Sequence, residues 1–372
     1  PMYKRCMHAL DGTLTYQPYG KEDQAIYSVS RGGLNQKLMN LADNYPSISY
    51  HFNRKCQDVN LDTNTLIFDN SETKQTEKHQ FDKIFAADGA YSAVRIRMQK
   101  SAVFDFSQKY LDHAYKELVI PANEDGTHKL DKNCLHIWPR GEFMMIALAN
   151  LDGSFTCTLF FPLKGEKSFE ALTTPAEVSE FFNRTFPDAV PLMPTLLEDY
   201  FENPTSKLMM VRSQPWNYKD DIVLIGDAAH AIVPFYGQGM NCGFEDCTVF
   251  SEMHDAAGGN WDGLLDAYSA ERVPDGNAIL DLALDNYIEM RDLTADPIFL
   301  LQKKIEAKFS NLYPEKWLPL YSQVTFSHIK YSHAYRNGKA QHALMQEILA
   351  IEGIHERWDE PFVMDKMLEL VS

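Results

Sequence analysis

The sequence predicts an α/β protein in which one α/β domain is interrupted by an antiparallel sheet and followed by C-terminal helices. Three observations indicate this order. Helix and strand patterns alternate up to Gly89, strands without intervening helices follow up to Phe161, and helical periodicity dominates after Gly237. A domain that the chain leaves and re-enters commonly binds a ligand at the boundary between its parts.

Length and composition are those of a protein with a sizeable core. The chain has 372 residues, 45% of them hydrophobic, and a formal net charge of -17. This charge repels phosphate backbones and no Lys/Arg stripe offsets it, so we expect no nucleic-acid partner. No segment reaches the roughly 18 apolar residues of a membrane span, and the C-terminal residues are too polar to insert. We therefore expect a cytoplasmic protein without a membrane partner.

The cysteine and histidine patterns predict no metal site. The six cysteines form no CxxC pair, and the twelve histidines form neither HExxH nor HxH. We expect free, mostly buried thiols in a reducing compartment.

The first part of the chain alternates between helix and strand signals. From Ser28, SVSRGGLNQKLMNLA places leucines at helical spacing after serine N-cap candidates, which predicts a helix that ends before Pro46. ISYHF and TLIFDN alternate apolar and polar residues, as strands do. FDKIFAADGAYS predicts a short strand that ends in Asp88 and Gly89.

The middle and last parts carry different signals. AYKELVIP, LHIWPR, FMMIALAN and SFTCTLFFP predict the antiparallel sheet, and TPAEVSEFF predicts a helix with a capping box from Thr174 to Glu177. DIVLI predicts a parallel strand buried on both faces. The helical pattern of DGNAILDLALDNYIEMRDL places four residues on one face: Ile279, Leu282, Asn286 and Met290.

Small residues and a carboxylate follow the strand DIVLI. Asp227 lies just past its carboxyl end, where open α/β sheets bind ligands. GQGMNCG, from Gly237, predicts a helix N-terminus whose free N–H groups favour negative charge. Its third glycine is one residue late for a dinucleotide fingerprint, so we reject that interpretation. Taken alone, these glycines could serve only turns and tight helix packing.

The complete motif is more specific. LIGDAAHAIVPFYGQGMNCGFED, Leu224 to Asp246, and ADGAYSAVR, Ala87 to Arg95, resemble the two later flavin motifs of the class A flavoprotein monooxygenases of the para-hydroxybenzoate hydroxylase type. RCMHALDG, YQPYG, LHIWPR, VPFYGQGMNCGFEDC, DNYIEMR and WLPLYSQVTFS narrow the resemblance to the kynurenine 3-monooxygenases. It implies a Rossmann-like FAD/NAD(P)-binding domain, FAD as cofactor, NADPH as reductant, and hydroxylation of L-kynurenine to 3-hydroxykynurenine by O2 through a flavin hydroperoxide, in tryptophan degradation.

The resemblance also implies a flavin site. Asp227 would bind the ribityl chain, and Pro234 would lie beside the oxygen-reacting edge. No side chain would act as acid or base, Gly239 would lie near the reaction site with Pro234, and His230 would be structural. The other implied flavin-site residues are Arg31, Asp88, Gly89, Gly237, Gln238, Gly239, Met240 and Asn241. Without the resemblance, Arg31 could equally be a solvated helix residue.

A zwitterionic substrate needs a fork-shaped cation for its carboxylate and an apolar slot for its ring. Arg5 matches the carboxylate-binding arginine of the family, although by sequence alone it reads as a surface residue. Tyr19 would be its hydroxyl partner, and Asn286 and Tyr321 would complete a polar clamp. The implied ring pocket consists of Phe235 and Met290 with the sheet residues Ile146, Leu148 and Phe155.

We predict a substrate-domain segment at 1–20, FAD-binding segments at 21–102 and 213–257, the sheet domain at 103–212 and a helical region at 258–372. The family's first βαβ unit with GxGxxG is absent, so we expect an incomplete FAD domain with an exposed sheet edge, and weak FAD binding or inactivity of this chain. Two alternatives remain: hydroxylation of a different aromatic compound, and ligand binding without catalysis.

Overall fold

The computed structural model describes residues 1–20, 23–101, 103–290 and 296–371. The strands are β1 (Lys4–His8), β2 (Leu14–Pro18), β3 (Arg54–Asn60), β4 (Thr65–Asn70), β5 (Thr76–Gln80), β6 (Ile84–Ala86), β7 (Asp105–Ile120), β8 (Cys134–Pro139), β9 (Met144–Ala149), β10 (Phe155–Pro162), β11 (Ser206–Gln214), β12 (Asn217–Tyr218) and β13 (Ile222–Leu224). The helices are α1 (Arg31–Ala42), α2 (Ala93–Met98), α3 (Pro175–Thr185), α4 (Leu196–Glu202), α5 (Asp227–His230), α6 (Gly239–Ala256), α7 (Leu264–Ile288), α8 (Pro297–Leu312), α9 (Leu320–Thr325), α10 (Tyr331–Leu349), α11 (Ile354–Arg357) and α12 (Pro361–Val371).

The largest sheet joins the start of the chain to its middle. Its seven strands lie in the order β11-β7-β10-β9-β8-β1-β2. The strands from β7 to β11 pair antiparallel, which confirms the predicted sheet, whereas β1 runs parallel to β8. Because more than a hundred residues separate β1 from β8, no tight hairpin fixes their relative direction.

Side chains alternate between the two faces of this sheet. Ile146 and Leu148 pack on one core cluster, which also contains residues of α7, while Met145 and Ala147 belong to a second cluster beneath α3 and α4. Phe155 belongs to the second cluster and is fully buried there. Its predicted place in the ring pocket is therefore wrong: Phe155 pairs with Ala149 of β9 and so shares the face of Met145 and Ala147, opposite to that of Ile146 and Leu148.

Two smaller sheets complete the α/β part. β6 runs parallel to β13, which is buried along its whole length as predicted for DIVLI, and β12 borders β13 on the other side. β3, β4 and β5 form an antiparallel meander. The predicted strand ISYHF is not formed. Its residues, 48–52, lie before β3, and no described strand pairs with them. Alternation produces a strand only where a neighbouring strand can accept and donate hydrogen bonds.

Predicted helix starts are confirmed at two caps. The Ser30 hydroxyl accepts a hydrogen bond from the Gly33 N–H at the start of α1. At α3 the Thr174 side chain and the Glu177 carboxylate each accept from the other's backbone N–H, as the capping box predicts.

The helices after α6 cover the first core cluster and form a further one of their own. α7 runs for 25 residues with one face buried, and Gly276 on that face lies against Trp216, where a Cβ would come within 2.6 Å of the indole ring. α8, α10 and α12 contribute to a separate core around Phe309 and Trp317. No described helix combines the length and the apolar character needed to cross a membrane.

Candidate active site

The predicted substrate residues converge on the face of β1 that carries Arg5. The Arg5 guanidinium lies 4.9 Å from the ring centre of Tyr19 and 4.9 Å from that of Tyr321. The two tyrosine rings are stacked, with centres 5.4 Å apart, and Tyr236 stacks on Tyr321 at 5.5 Å. Arg5 comes from β1, Tyr19 from the segment after β2 and Tyr321 from α9. The structure thus brings together three residues that are up to 316 positions apart in the sequence.

Arg5 is a cation without a direct counter-ion. Among the described residues no carboxylate lies within ion-pair distance of its guanidinium, whose nearest polar neighbours are the hydroxyl groups of Tyr19 and Tyr321. Burial by itself would lower the pKa of Arg5, but Tyr19, Tyr321 and the more distant Glu289 together raise this pKa, so the side chain stays charged. A half-buried, unpaired guanidinium is ready to bind an anion.

The Tyr19 hydroxyl is a second polar group left for a ligand. Tyr19 is 7% exposed, and its hydroxyl oxygen has no hydrogen-bond partner among the described residues. Burial raises the pKa of Tyr19 above that of an exposed phenol, so the hydroxyl keeps its proton and can donate. Buried polar atoms of this kind are uncommon in folded proteins unless a ligand or water satisfies them.

A cluster of aromatic rings adjoins the clamp. Phe235 stacks on Tyr287 with ring centres 4.2 Å apart and tilts against Phe160 at 4.8 Å. The Asn286 amide donates to the Phe235 carbonyl at 2.8 Å and to the Met290 sulfur at 3.5 Å. Asn286 therefore holds the Phe235 backbone in this structure, which is a different task from the substrate contact that the resemblance implies.

The predicted flavin residues lie at the carboxyl end of β13 and the start of α6. Asp227 is exposed and has no hydrogen bond or ion pair with another described residue. Pro234, Met240 and Asn241 are exposed as well. The start of α6 has no side-chain cap, because Gln238 at the N-cap makes none. Its first N–H groups therefore remain available to an anionic or carbonyl acceptor.

Three glycines show what the small residues approach. Gly226 has φ 59° and ψ -139°, a conformation that side chains with a Cβ rarely adopt. A Cβ on Gly243 of α6 would lie 3.6 Å from the Gly226 Cα, so this turn and the helix pass close together. Gly237 is left-handed, with φ 69°, where the chain turns into α6. The glycines thus agree with both interpretations of the motif. They allow tight helix packing, and they leave the N-terminus of α6 uncovered by side chains.

The Gln238 side chain does not face this surface. It is 4% exposed, and its oxygen accepts hydrogen bonds from the Tyr331 hydroxyl at 3.0 Å and from the Asn241 amide at 3.1 Å. Only its backbone is available to a flavin, because the helix rotation turns the side chain into the core.

The remaining predicted flavin residues lie on other elements. Arg31 is the first residue of α1, is exposed, and forms no hydrogen bond or ion pair with a described residue. Asp88 caps α2 by accepting from the Ala93 N–H at 2.8 Å, and Gly89 has φ 82°. No described hydrogen bond joins Arg31 or Asp88 to the start of α6, so their place at the flavin stays a prediction.

A buried charge network supports the surface from below. Asp246 of α6 accepts from the Gly226 N–H at 3.0 Å, lies 2.6 Å from His230 Nε2, and accepts from Arg272 Nε at 2.9 Å. Burial would by itself lower the pKa of His230, but Cys242 and Asp246 beside it raise this pKa to about 10. Burial would raise the pKa of Asp246, yet His230 and Arg272 hold it below its usual value. Sequence reasoning missed Asp246 and Arg272; the only signal was the four-residue spacing of Cys242 and Asp246 within the flavin motif.

The chemistry of this donor set fits a flavin. A free carboxylate can accept from sugar-like hydroxyls, and an uncapped helix start can donate to the polar edge of the ring system. Exposed apolar side chains, Met240 at 47%, Phe244 at 45% and Phe85 at 42%, offer hydrophobic surface around them.

Known proteins agree with this description. A family model described as an FAD binding domain matches residues 19–283. The chain is 51% identical over 372 residues to the kynurenine 3-monooxygenase of Flavobacterium johnsoniae, covering 100% of this chain and 83% of that protein. It is 42% identical over 362 residues to the kynurenine 3-monooxygenase of Dictyostelium discoideum, covering 94% of this chain and 78% of that protein.

Solved structures agree on the fold alone. A tetrameric 2-methyl-3-hydroxypyridine-5-carboxylic acid oxygenase superposes with a TM-score of 0.60 at 16% identity, over 80% of this chain and 76% of that one. A tetracycline destructase superposes with a TM-score of 0.57 at 17% identity, over 87% and 79%. The matched family model, the sequence identities and the site geometry together lead to one conclusion: the chain belongs to the kynurenine 3-monooxygenase family of FAD-dependent monooxygenases.

Proposed function

We propose that this protein hydroxylates the ring of L-kynurenine to give 3-hydroxykynurenine, with FAD as cofactor, NADPH as reductant and O2 as co-substrate. In balance, kynurenine, O2, NADPH and one proton give 3-hydroxykynurenine, NADP+ and water. The observation that carries the proposal is the Arg5 guanidinium, which lies 4.9 Å from the ring centres of both Tyr19 and Tyr321 without a counter-ion among the described residues. A hydroxylase for simple phenols has no amino-acid carboxylate to bind there.

The residues of the pocket divide the work of binding. Arg5 would hold the substrate carboxylate with charge-assisted hydrogen bonds, and the unpaired Tyr19 hydroxyl would donate one more. Tyr321 would fix the plane of the guanidinium by stacking. Phe235 and Met290 would enclose the ring, and Asn286 would hold the Phe235 backbone in position.

The flavin would lie on the surface formed by the end of β13 and the start of α6. Asp227 would accept hydrogen bonds from its ribityl hydroxyls, and the backbone from Gly237 to Asn241 would face its polar edge. We also propose roles for Arg31, Asp88 and Gly89 at the flavin, and for Pro234 and Gly239 beside the reacting edge. When bound and reduced, FAD activates O2 and supplies the oxygen atom.

The chain itself need not supply an acid or a base. The amino group ortho to the attacked carbon already donates electrons into the ring, and His230 is committed to Asp246 in the core. The tasks of the protein are to orient the ring and to exclude water from the reacting edge. All six cysteines are free, which supports a reducing, cytoplasmic location.

The proposal is tested by following NADPH oxidation and product mass with FAD, O2 and L-kynurenine. We expect NADPH consumption that depends on kynurenine and a product heavier by one oxygen atom. Consumption that does not respond to kynurenine but produces a hydroxylated phenol would assign a different aromatic substrate. Kynurenine binding without any consumption would make the protein a binding module.

A further inference from the structure

The face of β1 opposite to Arg5 carries a buried cluster of metal-ligating side chains. Cys6 and His8 lie on this face because side chains alternate along a strand. On the neighbouring parallel strand β8, His136 is paired with Cys6 and Cys134 with Lys4. The tripeptide pattern Cys-x-His thus occurs on both strands, and the four side chains face the same core: Cys6, His8, Cys134 and His136, all at most 3% exposed.

Three of these residues already meet at one point. One ligand atom from each of Cys6, His8 and His136 lies within 4.8 Å of the other two. His8 Nε2 and His136 Nδ1 face each other at 2.9 Å. Zn–N distances of about 2.0–2.1 Å and a Zn–S distance of about 2.3 Å put the ligand atoms of a tetrahedral site roughly 3.3–3.8 Å apart, so these two nitrogens need to separate by only about half an ångström.

The outer nitrogens of both imidazoles are held in the way that metal ligands require. His8 Nδ1 lies 2.7 Å from an Asp188 carboxylate oxygen, and His136 Nε2 lies 2.9 Å from the Asp131 carbonyl oxygen. Trp138 donates to the same Asp188 carboxylate and stacks on the His8 ring at 4.0 Å. Histidines that bind metals usually donate their second N–H to a carboxylate or a backbone carbonyl.

The partners of the two outer nitrogens leave the two inner nitrogens facing each other. The Asp131 carbonyl can only accept, so His136 carries its proton on Nε2, and the Asp188 carboxylate requires a proton on His8 Nδ1. The two inner nitrogens then both present lone pairs to each other at 2.9 Å. One additional proton or one metal ion placed between them would satisfy both.

We propose that Cys6, His8 and His136 bind a zinc ion, with the fourth position taken by water or by Cys134. Two imidazoles and a cysteine sulfur gathered in one buried cluster are ligands that zinc prefers. Because Cys6 directly follows Arg5, the ion would fix the strand that carries the proposed carboxylate-binding arginine. The spacing rules missed this site because its two halves are 128 positions apart.

The second buried group of potential ligands does not carry a similar proposal. His230, Cys242 and Asp246 also lie within 4.8 Å of one another. Both Asp246 oxygens are occupied, however, by Gly226, His230 and Arg272. The cationic Arg272 beside them would repel a metal ion.

The test is zinc binding by the purified, chelator-treated flavoprotein in a Cys247→Ser background, which removes the exposed thiol. Equilibrium titration against a chromophoric chelator should give one zinc per chain, and cobalt substitution should give a thiolate-to-metal charge-transfer band with tetrahedral d–d bands. Cys6→Ser should abolish the charge-transfer band. Cys157→Ser, at a buried thiol outside the cluster, and Cys242→Ser should leave zinc stoichiometry unchanged.

A fourth variant tests the site without altering a ligand. Asp188→Asn should weaken zinc binding about 10- to 100-fold, because the carboxylate orients His8. Circular dichroism and thermal unfolding establish that each variant is folded before its binding is measured. Two results would overturn the proposal and leave a shared proton between the two rings. One is the absence of stoichiometric zinc in the parent protein. The other is zinc binding that survives Cys6→Ser and Asp188→Asn but is lost in Cys242→Ser.

Discussion

The Arg5 pocket and the β13–α6 surface are built in opposite ways. In the pocket, Arg5, Tyr19 and Tyr321 are packed against one another, and the polar groups left over are few and enclosed. On the surface, Asp227 and Asn241 are exposed. The pocket is therefore held by the chain itself, whereas the surface depends on a buried network beneath it and on its ligand for its contacts above.

This difference indicates where substitutions should act. A change on the exposed surface should weaken flavin binding but leave the fold intact, since those side chains make few contacts within the chain. A change in the buried network should affect stability first, because it removes a partner from charges that are buried in the core.

The largest effect is expected for Asp246→Ala. It leaves Arg272 and His230 buried beside an empty site, and removing one partner of such a pair costs about 3–5 kcal/mol. The free energy of unfolding from denaturant titration measures it. Asp285→Ala is the matched control: Asp285 pairs with Lys339 at 3.4 Å on the surface, so a cost below about 1 kcal/mol is expected. Equal costs would mean that the network does not support the fold.

The same network predicts a dependence of stability on pH. Its His230 has a folded pKa of about 10, above its unfolded value of 6.5, so its stabilising contribution is complete below about pH 6.5 and is lost as the pH rises through about 10. The difference in unfolding free energy between the parent and His230→Gln should therefore shrink from pH 6 to pH 11. His355→Gln, at an exposed histidine, is the control. A difference that stays constant over this range would contradict a raised pKa.

A smaller effect is expected on the affinity for FAD. Asp227→Ala should raise the FAD dissociation constant roughly 10- to 150-fold, the value of one hydrogen bond to a charged group at about 1.5–3 kcal/mol. Flavin fluorescence titration measures it, with thermal unfolding as a check that stability is unchanged. Asp255→Ala, at the far end of α6 with its side chain 81% exposed, should bind FAD like the parent. Unchanged FAD affinity in Asp227→Ala would remove this residue from the flavin site.

The smallest effect separates backbone strain from packing. Gly226→Ala forces a Cβ into a conformation that costs about 1–3 kcal/mol. Gly243→Ala brings a Cβ only to 3.6 Å from Gly226, an ordinary contact, and should be neutral or slightly stabilising because alanine favours a helix. Thermal unfolding of the two variants distinguishes them, and the reverse order would mean that close packing, not φ, demands the glycine at 226.

Local signals predicted a large part of the fold. The capping box at Thr174, the buried strand DIVLI and the helix start within GQGMNCG each depend on a few adjacent residues, and the structure has all three, with the helix beginning at Gly239. ISYHF shows the limit of such signals, because its alternation finds no described partner strand. The division into domain segments stays a prediction.

The site was less accessible from the sequence. Asp246 and Arg272 are 26 positions apart on two helices, and only the packing of α6 on α7 joins them. The inward rotation of Gln238 and the bond from Asn286 to Phe235 depend on the same packing. Arg5, Tyr19 and Tyr321 were identified through resemblance, since no local pattern relates residues so far apart.

The most direct test of the account compares L-kynurenine with kynuramine, its decarboxylated analogue, in the parent enzyme, in Arg5→Ala and in Lys4→Ala. Lys4 is the adjacent cation of β1, with its side chain 40% exposed, and serves as the control. In the parent and in Lys4→Ala, kcat/KM for product formation should favour kynurenine by roughly 30- to 5,000-fold, as for a charge pair worth about 2–5 kcal/mol. Arg5→Ala should abolish this preference, so that both compounds react equally slowly. A preference for kynurenine that survives in Arg5→Ala would contradict the assignment of Arg5 as the carboxylate-binding residue.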